Sequence, residues 1–450
     1  MARATAATVL DGCQPDDRTA AVVRQGLADV FATRGLQATS FTLREIDITP
    51  CAGDFKCWTR TPGICAIDDA NREIARAFVA SEIAVLLTPL TFGGYSSELK
   101  KALDHLIGSI TPFFTTVDGE THHPPRYPRP PRLLALATSD GHDMVGEGIF
   151  AKLVERNALN MSSPTFATAV FTQEDADEAI ATHVGAIVTA LLEDEGRGRP
   201  SVARVRDVAA AAVPDEEPGS RRESASGGRR ALLLLGSPKP HRSASLSLGE
   251  YLLEGLAARG FATSTVHIHT VLRGSAGIDQ LVAETDAADL VILAFPVYVD
   301  SLPAPVIRAL EAIAAHRRAP GRRGGQRFVA ITNCGFPEAA HTDVPLAICR
   351  HFAAEAGFRW AGGLGLGGGG AVEGRRIEQA GGMVRHVRQA LDLAAAALAD
   401  GHAIPHEAGE LFARPLMPSG FYRLAANVGF IVQAWKSGVL SRLRARPYGR

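Results

Sequence analysis

Ala231-Leu232-Leu233-Leu234-Leu235-Gly236-Ser237-Pro238-Lys239-Pro240-His241-Arg242-Ser243-Ala244-Ser245 passes from a continuous apolar run through a loop of glycine, proline and serine into a helical pattern that lasts to Leu256. A short run that is apolar at every position reads as a strand buried on both faces. Ser243 or Ser245, just ahead of the periodic stretch, reads as a helix start. Strand, hydroxyl-bearing loop and helix in that order set free helix N–H groups and the positive dipole end beside the loop, an arrangement that suits a phosphate. The plainer alternative is a tight turn at Gly236-Ser237-Pro238 followed by an ordinary serine cap. The same layout occurs near the start, where Ala7-Thr8-Val9-Leu10 feeds Asp11-Gly12-Cys13-Gln14-Pro15-Asp16-Asp17-Arg18-Thr19. That copy is acidic: Asp11, Asp16 and Asp17 repel a dianion, offset in part by Arg18, Thr19 and the helix dipole.

The repeat continues on either side. Ala7–Leu10, Thr39–Leu43, Ile83–Thr88, Leu133–Thr138 and Thr165–Phe171 read as strands, separated by helical patterns at Thr19–Thr33, Ala70–Ala80, Ser97–Ile107, Gly148–Leu159 and Ala176–Leu192. The second half repeats the alternation. Its strands fall near Ala231–Leu235, Thr263–Ile268, Leu290–Phe295, Phe328–Thr332 and Trp360–Leu366, its helices at Ala244–Ala257, Ile278–Thr285, Ala304–Ala315, Pro345–Ala356 and Arg375–Leu398. Five βα units twice over imply an α/β chain of two tandem, doubly wound, parallel five-stranded sheets. The expected division is a domain over 1–192, a flexible linker over 193–229, rich in Gly, Pro, Ser and Arg, a domain over 230–400 and a helical tail over 401–450.

Length agrees with that count, since 450 residues exceed what one core normally serves. A net charge of −1 offers nucleic acid no attraction. Six unevenly spaced cysteines and the lack of a basic-then-apolar start lead to the expectation of a reduced, cytoplasmic protein. No apolar run suits a membrane span; the longest candidate, Leu424 to Trp435, is broken by Asn427, Gly429 and Gln433. The tail ends in Arg442, Arg444, Arg446 and Arg450. It reads either as a helix closing over the second domain or as a basic amphipathic segment lying on a membrane surface.

In an open parallel sheet, ligands sit beyond the carboxyl ends of the strands, so the loops after the first, third and fourth strands of each half are the candidates. After the first strand of the second half, Ser237, Pro238, Lys239, Ser243 and Ser245 form the phosphate candidate. After the third come Pro296-Val297-Tyr298 and, in the first half, Pro89-Leu90-Thr91-Phe92-Gly93: proline-stiffened loops with an aromatic ring, able to offer N–H groups and a flat face to a heterocycle. After the fourth, Asn333-Cys334-Gly335 and Thr138-Ser139-Asp140-Gly141-His142 close the other side, with Gly141 and Gly335 allowing close ligand approach. Histidines such as His122, His123 and His341 read as loop residues, because no second ligand accompanies them at a helical spacing.

These residues resemble the NAD(P)H-dependent FMN reductases of the flavodoxin-like fold, including the flavodoxin-2 and iron-sulfur flavoprotein branches. Gly236-Ser237-Pro238 with Ser243 and Ser245 looks like their FMN phosphate loop, and Pro89 to Gly93 and Pro296 to Tyr298 look like their isoalloxazine loops. The segment Cys51-Ala52-Gly53-Asp54-Phe55-Lys56-Cys57, continuing to Cys65 and Asp68-Asp69, resembles the loop in which the cluster-bearing branch ligates a [4Fe–4S] centre with four thiolates. Asp54 stands where the second cysteine belongs, so an intact cluster is not expected, and no metal is assigned. Packing beside the flavin or a structural zinc with Asp54 as oxygen ligand are the other readings of that loop.

The resemblance implies an FMN-dependent oxidoreductase in which NAD(P)H gives hydride to the flavin and electrons pass to a small-molecule acceptor such as a quinone or nitro compound. It also implies an intrachain pseudo-dimer or a homo-oligomer. The cofactor carries such chemistry, so no side chain is assigned a catalytic role. Rival readings are a flavin electron carrier without a pyridine-nucleotide site, and a first domain kept as a non-catalytic scaffold. FMN is expected to bind the second domain more tightly, although the first has the better ring loop.

Overall fold

The computed structural model describes residues 6–194, 229–239, 241–274, 276–319, 325–372 and 374–449. Most of the segment expected to be a linker, and Pro240 within the second phosphate loop, lie outside the described residues. The described chain divides into two units, one built from residues up to 212 together with 423–450, the other from 213–422.

In the first unit, β1 (Ala6–Asp11), β2 (Gln37–Thr42), β3 (Ile83–Pro89), β6 (Arg132–Ser139) and β7 (Phe166–Thr172) form one parallel sheet in the order β2-β1-β3-β6-β7. In the second, β8 (Arg230–Leu235), β9 (Ala262–His267), β10 (Leu290–Pro296), β11 (Arg327–Asn333) and β12 (Arg359–Leu366) give the order β12-β11-β10-β8-β9. With the strands of each sheet numbered one to five, both orders are 2-1-3-4-5. The chain leaves its first strand on one side, to the second, and returns on the other side as the third. The direction of winding therefore reverses between β1 and β3, and between β8 and β10, and a crevice opens there at the carboxyl ends.

The burial pattern explains the order. Central strands such as Leu290-Val291-Ile292-Leu293-Ala294-Phe295 are buried along their length because helices cover both faces, whereas the edge strand Ala262–His267 buries only Val266. Each unit has its own core. In the first, Val9, Val85 and Leu136 of the sheet meet Val23, Leu27, Val184 and Val188 of the helices Arg18–Arg34 and Asp177–Glu193. In the second, Leu233, Ile292 and Ile331 meet Leu248, Leu252, Leu391 and Ala394.

The observed elements depart from expectation in three places, each for a local reason. Arg375–Leu398 is not one helix: Gly381 takes φ +76°, and single turns at Ile377–Gln379 and Gly382–Val384 precede the helix Arg385–Ala399. The pattern at Ser97–Ile107 stops as an α-helix at Leu103 and resumes as a 3₁₀ turn at Leu106–Ser109. A hairpin of β4 (Thr115–Val117) with β5 (Glu120–His122) turns on Asp118-Gly119, both left-handed, an Asp-Gly turn outside the expected βα alternation. No helix among the described residues is long and apolar enough to cross a membrane.

Candidate functional site

Two loops of the same design stand at the switch point of each sheet, and they differ in charge. In the second unit Gly236 continues the strand, its N–H bonded to the Ala294 carbonyl at 2.8 Å. A side chain there would overlap Val306 and come within 2.9 Å of the Phe295 Cβ, so only glycine lets the loop pass so close to β10. Ser243 caps the helix Ala244–Ala257, its Oγ accepting from the Leu246 N–H at 3.1 Å. Ser237, Ser243 and Ser245 are buried, and the Lys239 N–H donates to the Ser237 Oγ at 3.2 Å. His241 and Arg242 are exposed on the same loop. Neutral hydroxyls, a helix N-terminus and flanking cations form a donor set that fits a phosphate.

In the first unit Gly12 holds the matching place, its N–H on the Leu87 carbonyl at 2.8 Å. Here Asp17 is the cap: one carboxylate oxygen accepts from the Ala20 N–H at 2.9 Å, the other from the Thr138 hydroxyl at 2.8 Å. The Asp11 carboxylate accepts from the Cys13 N–H and pairs with Arg24 at 2.6 Å. Thus the anion-attracting end of this helix already holds a carboxylate, and the guanidinium groups around the loop are engaged: Arg24 on Asp11, Arg18 on Asp177 at 2.9 Å, and Arg44 on the Gly12 carbonyl at 3.1 Å. A dianion does not fit this donor set. Burial, with Asp11 next in effect, pushes the Cys13 thiol up to about 12, so it stays protonated and inert.

The loops after β3 and β10 share an unusual turn. Thr91 and Gly94 exchange both backbone hydrogen bonds, at 3.0 and 2.8 Å, around Phe92 and Gly93 in left-handed conformation. Tyr298 and Ser301 do the same, at 2.9 and 3.1 Å, around Val299 (φ +47°) and Asp300 (φ +54°). A β-branched residue at positive φ is strained, and such strain gathers at ligand sites. The two tips differ in access. Phe92 and Gly93 are buried, a Cβ on Gly93 meeting Ile149 at 2.8 Å, while Pro296, Val297, Tyr298 and Val299 remain half-buried.

Asn333 ties the second unit's loops together. Its side-chain amide donates to the Ser245 Oγ at 2.8 Å and to the Phe295 carbonyl at 3.3 Å, and its own carbonyl accepts from the Val297 N–H at 2.8 Å. Asn333 and Cys334 are buried and act on the shape of the site; Gly335 is exposed, and a Cβ there would meet nothing within 4 Å. Of the residues expected from sequence, Ser237 to Ser245, Pro296 to Tyr298 and Asn333 to Gly335 therefore share the carboxyl ends of one sheet. Pro89 to Gly93 belong to the other sheet. Thr332 Oγ1 and Ser301 Oγ are buried with no hydrogen-bond partner among the described residues.

Two residues missed from sequence lie next to the phosphate loop. His267 ends β9 opposite Leu235, and His269 follows it, hydrogen-bonded to the Gly236 backbone. Burial pushes the His269 imidazole down to about 4 and lowers His267 as well. The signal was available, since the second strand of such a sheet ends beside the first.

Cys51, Cys57, Cys65 and His105 line one small cavity with Asp54. His105 Nδ1 lies 3.3 Å from the Cys65 Sγ, with Nε2 on the Thr49 carbonyl at 2.8 Å. Asp54 accepts from the Lys56 N–H at 3.0 Å and pairs with its ammonium at 2.7 Å. Burial raises all three thiols, Cys51 to about 12. Three thiols and an ion-paired carboxylate fall one thiolate short of a four-thiolate cluster set. A groove of about 840 Å³ in this unit, bounded by Ser81, Arg132 and Pro164, opens at the amino ends of the strands, away from the switch point.

The sequence profile described as NADPH-dependent FMN reductase matches residues 8–117 and again 229–340. An iron-sulfur flavoprotein of Methanocaldococcus jannaschii is 30% identical over 91 residues, which cover 20% of this chain and 46% of that protein. The match thus spans less than half of that relative. An NAD(P)H:quinone oxidoreductase from Methanothermobacter marburgensis aligns over 43% of this chain and 99% of its own, at 8% identity and a TM-score of 0.33. An FMN-dependent NADH-azoreductase from Bacillus anthracis, solved with FMN, aligns over 38% of this chain and all of its own, at 12% identity and a TM-score of 0.30.

Proposed function

With two copies of the NADPH-dependent FMN reductase family in tandem, the chain belongs to that family of oxidoreductases, and we propose that it binds FMN in its second unit alone. The observation that carries this reading is the exchange of caps: Ser243 at one helix N-terminus, Asp17 at the other. Ser237, Lys239, Ser243 and the free N–H groups of the helix Ala244–Ala257 would hold the phosphate. Pro238 stiffens that loop, and Ser245 is held by Asn333. Pro296, Val297 and Tyr298 would border the ring on one side, Cys334 and Gly335 on the other.

FMN held there would supply the redox chemistry, linking hydride donation by NAD(P)H to reduction of an acceptor such as a quinone or nitro compound. The chain's residues bind, orient and shield. The turn at Val299-Asp300 fixes where the Tyr298 ring stands, and the Asn333 amide locks strand, ring loop and helix start in one register. The first unit then serves as a scaffold, a reading favoured by its buried ring loop and its carboxylate-capped helix. With Asp54 in place of a fourth thiolate, its cysteine loop is not expected to hold a [4Fe–4S] centre, and anaerobically purified protein is expected to contain no stoichiometric iron.

The test is flavin content and its response to NADPH without oxygen. Yellow protein bleached by NADPH supports the reductase; yellow protein inert to NADH and NADPH supports an electron carrier. Protein that takes up no FMN contradicts both.

A further inference from the structure

The helix Ser419–Lys436 is apolar on two opposite faces, and only one of them is covered. Its inner face packs on the first unit. The Phe430 ring stands edge-on to Phe55, Trp58 and Phe114 at 6.3, 5.5 and 6.3 Å, the Phe114 N–H donates to the Asn427 Oδ1 at 2.8 Å, and Ala434 is fully buried. On the other side Leu424, Val428, Ile431, Val432 and Trp435 are 62, 50, 40, 41 and 67% exposed. At 3.6 residues per turn these five fall within an arc of roughly 100°. A surface helix ordinarily turns charge outward. This one has no charged residue between Arg423 and Lys436.

Charge sits around the stripe and is of one sign. Residues 423–450 contain Arg423, Lys436, Arg442, Arg444, Arg446 and Arg450 and no Asp or Glu, in a chain whose net charge is −1. Lys436, Arg442, Arg444 and Arg446 are exposed. The segment is held to the first unit in a fixed pose: Arg126 donates to the Leu443 and Ala445 carbonyls at 2.9 Å each, and Arg446 donates to the Arg126 carbonyl at 2.8 Å.

We propose that this stripe and the basic segment after it form a docking surface for an anionic lipid bilayer, on which the protein rests without crossing it. An outward apolar stripe with a tryptophan, bordered by cations, matches the interfacial layer, where apolar side chains enter the acyl boundary and cations meet phosphate headgroups. A second copy of the chain fits less well. Pairing two such helices would bring Lys436 and the arginines together, with no carboxylate in residues 423–450 to pair with them. These observations are independent of the flavin site.

The experiment is co-sedimentation of the full FMN-loaded chain with vesicles of phosphatidylglycerol and phosphatidylcholine, or of phosphatidylcholine alone. The protein is expected to pellet with the anionic vesicles, to be released by salt, and to show a blue shift of Trp435 emission. Leu424→Glu with Ile431→Glu abolishes binding at unchanged flavin content; Lys436→Gln with Arg442→Gln weakens it by about tenfold. The proposal is overturned by full-length protein that stays in the supernatant, by variants that pellet as well as the parent, or by a stripe variant that converts a dimer to a monomer while neither form binds vesicles.

Discussion

Asp17 and Ser243 do the same structural job and opposite electrostatic ones. Each accepts an N–H three residues on, so each helix starts where it should, but only the carboxylate fills the anion site. Changing Ser243→Asp keeps the cap and adds the charge. FMN content after purification is then expected to fall about tenfold or more, since a like charge about 4 Å from a phosphate costs roughly 4 kcal/mol at the effective dielectric of a protein surface, and about 1.4 kcal/mol is tenfold. Unchanged occupancy points to the first unit. His269 gives a second residue-level outcome. Its folded value of about 4 lies below the ordinary 6.5, so on acidification the unfolded chain takes up a proton the folded one refuses. Stability that is complete above pH 6.5 is therefore lost progressively toward pH 4. Urea midpoints measured across that window should fall with pH, and His269→Gln should flatten the decline.

At the scale of elements, the tail is part of the first unit's structure. Arg126 donates to four carbonyls, those of Gly108, Ile110, Leu443 and Ala445, and a Cβ at Gly63 would strike Pro447. Arg126→Ala leaves these acceptors buried and unpaired, at a cost of about 3 kcal/mol or more in urea unfolding. The same contacts, with Phe430 on Phe55 and Trp58, close over the cysteine loop. Removing residues 423–450 is thus expected to raise the rate at which Cys57 reacts with a thiol reagent; an unchanged rate means the tail does not seal the loop. None of this was legible in sequence, because backbone carbonyls of Leu443 and Ala445 carry no side-chain signal. The strands were legible, since Leu232 to Leu235 and Ile83 to Leu87 are apolar at every position and admit few other readings. The pair Gly381-Gly382, which breaks the expected helix at Arg375–Leu398, is visible in sequence too, but the apolar periodicity of the alanine-rich stretch that follows extends the expected helix across it.

At the scale of the whole molecule, the duplication was plain from the repeated strand-loop-helix layout, and so was the inequality of its halves. What sequence alone left open was whether the acidic loop repels phosphate or merely looks as if it should. The geometry supports the proposed exclusion: Asp17 spends both oxygens on the helix end and Thr138, and Arg24 is spent on Asp11. The ring loops agree, with Phe92 and Gly93 buried against Ile149 and Tyr298 left accessible. The proposed function requires one flavin site per chain, in the second unit. Counting FMN released per chain by denaturation, after saturation and gel filtration, tests it most directly. One equivalent for the parent and a loss on Ser243→Asp is the predicted result; two equivalents, or one that survives Ser243→Asp, contradicts it.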